Sequence, residues 1–364
     1  MNDKNSNRAR PARLDLEDMA KALTIPAVIW GHGGKGTDAS LYRMILYAFH
    51  MPVFFLAAGL VARRAADTDF SRRGWLEFFR KNIALILMPY LLWGLIYSRF
   101  SLPKLVGLLY GSYEQIKTVT SIGALWFLPC FFLTRLEARC VLWLSSRMKR
   151  GETLTVLIAA VIAFVIGAVL PKPEKGYPWS FNISFMGLGF YLLGYAAKGL
   201  IDRLRDGKFI VKLGLFAASA ALFCAGTVLR RGQMELVGFF NGEYGDLFWF
   251  FCNAVTGCAT VLCLAAVLTH RGERHRAFLP YRGALWVGQN TMGLYLVHTP
   301  IMREWAVPLL QKHGFTSPNW LITFVAMLMT LLVSCIVCTL FNRFMPWLFG
   351  KNGKNPTQKK EISE

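Results

Sequence analysis

The chain has 364 residues, 54% of them hydrophobic and only 17% charged, with a mean hydropathy of +0.39. A soluble domain of this length carries roughly 25% charged residues, and the apolar residues here fall in blocks without polar faces, which excludes an amphipathic soluble bundle. The net charge of +20 is dealt out loop by loop, so it speaks for membrane orientation and anionic lipid and against nucleic acid as a partner.

Runs of about 20 apolar residues suit helices that cross a bilayer, and such helices satisfy their own backbone in lipid. The pattern predicts an all-α, polytopic transmembrane helix bundle of about ten helices. The spans fall near 17–32, 41–62, 82–98, 121–144, 153–171, 181–198, 209–229, 246–269, 284–302 and 319–342. Residues 1–16 and 346–364 are expected as cytoplasmic tails around a domain at 17–345. Residues 1–18 mix basic and acidic groups with no small-residue cleavage site after them, so the first span is expected to be retained. Trp93, Tyr97, Trp143, Trp179, Trp249 and Trp347 lie near predicted span ends, where interfacial anchors belong. Placing the N-terminus inside and alternating leaves 28 of 41 Lys and Arg on the cytoplasmic side and 11 outside. Both termini are therefore expected in the cytoplasm.

Ionisable groups inside spans are costly and mark function by default. The first span holds Asp18, Lys21 and His32. Lys21 and His32 are eleven residues apart, about 1100° of helical rotation, so they share one stripe with roughly 16 Å between them. Asp18 lies near the same stripe, too far away to orient His32 but one turn from Lys21. His50 enters the second span, and with only 17 residues between them the two histidines are expected to face one polar site across a hairpin. An imidazole suits proton abstraction from a hydroxyl. Cys335 and Cys338 form a CxxC pair inside an apolar helix and read as small packing residues. No zinc, Walker or GxSxG spacing occurs, and no metal is expected.

The run from Asp18 through Lys21 to Trp30-Gly31-His32, followed by Phe49-His50-Met51-Pro52, resembles the opening of the acyltransferase-3 family, its fucose 4-O-acetylase-like branch in particular. Arg80-Lys81 with Met88-Pro89-Tyr90, then Leu125-Trp126-Phe127-Leu128-Pro129, then Val287-Gly288-Gln289-Asn290-Thr291 leading to Tyr295 and His298, resemble later family segments in the same order. The resemblance implies a cytoplasmic acyl-CoA donor, no bound cofactor, and transfer to a hydroxyl at or beyond the outer face. It also implies that His32 is the catalytic position and that Lys21 stands where the family has arginine. The chain departs from the pattern at Ala58-Gly59, where Ser-Gly is usual, and at Ala84, where a second basic residue would fall.

The function this implies is O-acyl transfer, of acetyl in the first instance, to a sugar or cell-envelope glycan in the bacterial inner membrane. Catalysis is expected from His32, Lys21, Asp18 and His50. Donor phosphates are expected on Arg72, Arg73, Arg80 and Lys81 in a basic loop at 63–81. Trp126, Asn290, Tyr295 and His298 are expected to bind the acceptor or the oxyanion. The alternative is a transporter or glycan translocase in which the same polar groups line a pathway, although no matching halves are visible. His270 and His275 are expected to be solvated in a basic loop. Glu235, Glu243 and Asp246 sit in an outer loop that an acceptor can reach.

Overall fold

A computed structural model describes residues 12–33, 40–148, 151–229, 236–270, 277–315 and 320–351. Their order is α1 (Ala12–Gly31), α2 (Leu41–Val61), α3 (Arg72–Asn82), α4 (Met88–Tyr97), α5 (Leu105–Tyr110) and α6 (Tyr113–Thr120). Then come α7 (Phe127–Arg147), α8 (Glu152–Val169), α9 (Phe181–Ala196), α10 (Lys198–Asp206), α11 (Phe209–Leu229) and α12 (Leu247–Leu268). The last are α13 (Leu279–Gln289), α14 (Thr291–Pro300), α15 (Val307–Lys312) and α16 (Trp320–Phe344). Among the described residues the β-structure is an isolated bridge between Gly238 and Glu243. The chain is a helical membrane bundle.

Six helical stretches are long and apolar enough to cross a membrane: α2, α3 continued into α4, α8, α11, α12 and α16. The pair α9 and α10, bent by 50°, makes a seventh. The other three expected spans correspond to α1, α7 and the α13–α14 pair. The first two are too charged to qualify by composition, and the third is broken at Asn290 into helices of 11 and 10 residues. These three pack inward. Leu16, Met19, Ala20, Ile25, Val28 and Ile29 of α1 are all buried, whereas α11 turns Ile210, Leu222, Val228 and Leu229 outward. Hydropathy therefore reports the lipid-facing shell and misses the helices inside it.

The first helix begins at Ala12, so residues 12–16, expected in a tail, are helical, and Asp15 is buried. The basic stretch 63–81 is likewise no loop, but a short 3₁₀ turn at Ala65–Asp67 followed by α3. Trp93 is buried and not interfacial. Its indole donates to Leu348 O at 3.0 Å and stacks on Phe349.

Two prolines reshape their helices in the same way. Proline lacks an N–H and pushes away the carbonyl four residues earlier, so the preceding turn widens. Ile83–Leu87 before Pro89 and Ile301–Ala306 before Pro308 are both π turns. Close helix contact depends on glycine at α2 and α13. A Cβ at Gly59 would lie 1.8 Å from Tyr191 O, and one at Gly288 would lie 1.9 Å from Asp18 O. Gly288 thus brings α13 against the segment of α1 that carries the charged pair.

Candidate active site

Site geometry starts from α1. Lys21 Nζ lies 2.8 Å from Asp18 Oδ1, one helical turn back, with Asp18 nearly buried and Lys21 28% exposed. Lys21 also faces a cavity of about 220 Å³ between α1, α2, α7 and α14. Ile25, Met51, Phe54, Phe127 and Phe131 give it apolar walls, and Arg135 is its second cation. Helix register puts Lys21, Arg135, Val61 and Thr291 toward one end and Met51, Phe127 and Tyr295 toward the other. Arg135 also lies over the Phe131 ring, 5.8 Å from its centroid. Its spacing of four and eight residues from Phe131 and Phe127 puts all three on one helix face.

Tyr295 closes the deep end. Its hydroxyl donates to Ala124 O in the 3₁₀ turn Gly123–Trp126, and its ring packs against Phe127 and lies 5.5 Å from His298. Trp126, at the end of that turn, is buried against Phe127 and Phe239. His298 Nδ1 is 2.6 Å from Tyr295 O and its Nε2 is 3.1 Å from Thr299 Oγ1. A carbonyl oxygen can only accept, so Nδ1 carries the proton and Nε2 takes one from the threonine hydroxyl. The ring of His298 then meets that of His32, 5.1 Å between centroids and tilted by 50°. His32 Nδ1 is buried and has no hydrogen-bond partner among the described residues. A buried nitrogen left unpaired asks for a ligand or a proton-bearing group.

The ring in contact with His32 is that of His298, with His50, the expected neighbour, further off. His50 sits in the middle of α2, not at its entrance, because α2 already begins at Leu41. Its Nδ1 donates to Leu46 O at 2.7 Å and its ring stands edge-on to Tyr47. His50 remains within electrostatic range of His32, but the ring in contact belongs to His298. Tyr47 joins the two helices by donating to Gly31 O at 3.3 Å.

Asn290 does not join the histidine group. Its Nδ2 donates to Trp286 O, and its Oδ1 accepts from Asn342 Nδ2 at 2.8 Å and Lys351 Nζ at 2.7 Å. That amide secures the break between α13 and α14 and is fully used. Arg72, Arg73, Arg80 and Lys81 are all exposed on α3 and none lines the cavity. Arg73 pairs with Glu77 at 3.2 Å. Just before α3, Asp69 is held below the usual carboxylate range by the backbone N–H and hydroxyl of Ser71. The cations that line the cavity are Lys21 and Arg135, and the α3 group lies at the exposed surface.

Other expectations resolve as follows. Glu243 and Asp246 line an outer hollow of about 610 Å³ with Lys172 and Tyr244, and Asp246 also caps α12 through Trp249 N. Glu235 and His275 lie outside the described residues. His270 is not simply solvated: its Nδ1 is 3.1 Å from Lys212 Nζ. Cys335 and Cys338 are free thiols, the second buried.

A family profile described as an acyltransferase domain matches residues 18–339. The chain belongs to the acyltransferase-3 family. It is a multi-pass membrane acyltransferase. The matched region opens at Asp18 and contains every residue of the histidine and cavity groups. No curated protein and no solved structure matches the chain.

Proposed function

We propose that this acyltransferase moves an acyl group, acetyl in the simplest case, from acyl-CoA to a hydroxyl of a sugar or cell-envelope glycan in the bacterial inner membrane. One observation carries the reading. A cation-mouthed apolar cavity ends at Tyr295, whose ring touches His298, and His298 in turn touches His32, whose buried Nδ1 has no hydrogen-bond partner among the described residues.

In this scheme the donor phosphates lie toward Lys21 and Arg135, and the pantetheine arm runs between Phe54, Phe127 and Phe131. The thioester meets the histidines past Tyr295. His32 removes the proton of the acceptor hydroxyl as its oxygen bonds to the thioester carbonyl carbon. The tetrahedral intermediate expels the CoA thiolate as the C–S bond breaks, and the proton held on His32 passes to that sulfur. His298, fixed by Tyr295 O and Thr299, orients the His32 ring. Asp18 holds Lys21 in place. Tyr295, whose hydroxyl is committed to Ala124, acts as the partition between cavity and base.

The test is acyl transfer and CoA release in membrane vesicles containing equal amounts of wild type, His32→Ala and His32→Gln. Loss of a general base costs about 10²- to 10⁴-fold in rate, and a drop of that order is expected for both variants. Full activity in His32→Ala would remove His32 from the chemistry.

A further inference from the structure

The hollow of about 610 Å³ between the end of α8, the start of α12 and the turn at 236–246 has no part in the transfer scheme. Beside it lies a notch of about 20 Å³, lined by Glu114, Ser180, Asn182 and Phe240, and Lys172 lines both spaces. The walls are fastened in place. Ser112 Oγ donates to Lys175 O at 2.6 Å, the Tyr110 hydroxyl to Gly176 O at 2.9 Å, and Trp179 Nε1 to Leu109 O at 2.8 Å. The facing wall is a turn closed by the Gly238–Glu243 bridge, in which Gly242 supplies a φ of +73°.

The notch holds polar groups without partners. Asn182 is 6% exposed, and its amide makes no hydrogen bond among the described residues. The buried hydroxyl of Ser180 is likewise unpaired. Such groups ask for a ligand that can both donate and accept, and a space of this size admits one hydroxyl. Among the lining residues Glu114, Glu243 and Asp246 outnumber Lys172, so the walls are net acidic. They disfavour an anion and suit the O–H donors of an uncharged polyol.

The hollow also lies close behind the reaction centre. Phe240, on the notch wall, is 4.2 Å ring to ring from Tyr113, and Tyr113 packs so closely on Gly123 that a Cβ there has no space. The next residue, Ala124, accepts from the Tyr295 hydroxyl. Tyr244, on the wall of the larger hollow, lies 5.6 Å from Phe239, and Phe239 lies 6.3 Å from Trp126 in the same turn. A thin layer of rings thus separates the hollow from the turn that holds Tyr295.

We propose that the hollow and its notch form a sugar subsite. It holds an uncharged, hydroxyl-rich stretch of the acceptor, with one hydroxyl on Asn182 and Ser180, while a hydroxyl several sugar units away meets His32. This rests on the reading of the acceptor as a glycan and adds that the glycan is an oligosaccharide, neutral where the hollow grips it.

The experiment measures binding to the full-length protein in nanodiscs. The probes are maltotetraose, chitotetraose and mannotetraose, each against its monosaccharide, and trigalacturonate against galacturonate. At least one neutral tetrasaccharide should bind roughly tenfold tighter than its monosaccharide, as one or two further hydrogen bonds require. Trigalacturonate should show no such gain. Asn182→Leu should bring the gain toward one, and Glu243→Gln should reduce it in part. Lys312→Gln, a distant surface change, should leave it intact. Glu243 is exposed, so its variant carries the test if Asn182→Leu melts low. Equal binding within all three neutral pairs would overturn the proposal. So would a gain that both hollow variants leave unmoved, that Lys312→Gln reduces equally, or that trigalacturonate matches. Acyl transfer is followed alongside in vesicles. Transfer to a glycan without any length gain defeats this inference alone, and a length gain without transfer to any glycan defeats the acceptor reading alone.

Discussion

Removing the charge of Lys21 separates its two roles. Its ammonium lies 2.8 Å from the Asp18 carboxylate, a gross attraction of about 6 kcal/mol at an effective dielectric of 20. Desolvation of a nearly buried carboxylate cancels much of that, and the 28% exposure of Lys21 discounts it further. Deleting one partner of a fully buried pair costs about 3–5 kcal/mol. With Lys21 partly in solvent, Lys21→Met should cost about 2 kcal/mol, seen as a lower apparent melting temperature in detergent. Adding Asp18→Asn removes the carboxylate charge left beside the new methionine and should recover most of the stability. The donor cavity, however, would still lack a cation. The double variant should therefore melt near the wild type and keep a raised KM for acyl-CoA. Lys21→Arg, which restores the family's usual residue, should keep both properties near wild type. The reasoning fails if the double variant regains donor affinity together with stability, because Lys21 would then matter only as the partner of Asp18.

Two further predictions rest on residues whose placement differed from expectation. Arg135→Gln should raise the KM for acyl-CoA severalfold, with kcat much less affected, whereas Arg80→Gln with Lys81→Gln should move it less, because only Arg135 faces the cavity; steady-state kinetics in vesicles decide between them. Asn290→Ala removes the oxygen that accepts from Asn342 and Lys351, which keep their contact with each other, and should cost about 1 kcal/mol of stability while leaving kcat nearly unchanged.

The membrane class and most helix positions were legible because lipid demands long apolar runs, and α2, α8, α11, α12 and α16 supply them. Helical periodicity places Lys21 and His32 on one stripe of α1, yet Lys21 lines the cavity and His32 does not, meeting His298 instead. The partner of His32 was harder to see. His50 is nearer in sequence, but α2 starts at Leu41 and carries His50 into mid-helix, while the break at Asn290 and the following turn swing His298 to the ring. A contact between residues 266 positions apart has no local periodic signature.

The helices that looked weakest as membrane spans hold nearly all of the chemistry. α1 carries Asp18, Lys21 and the histidine at its end, α7 carries Arg135, and the broken α13–α14 pair carries Tyr295 and His298. Polar groups at membrane depth are tolerated where protein surrounds them. These elements can hold charges because α8, α11 and α16, with largely outward apolar surface, take much of the contact with lipid. The same arrangement keeps two approaches apart. The cavity with Lys21 and Arg135 lies on one side of Tyr295 and Phe127, and His298 and His32 lie on the other. In the proposed scheme an acyl group that passes Tyr295 changes sides without the CoA having to cross. A smaller residue at 295 would open that partition, so Tyr295→Ala should trade transfer for acceptor-independent thioester hydrolysis as water reaches the acyl carbon.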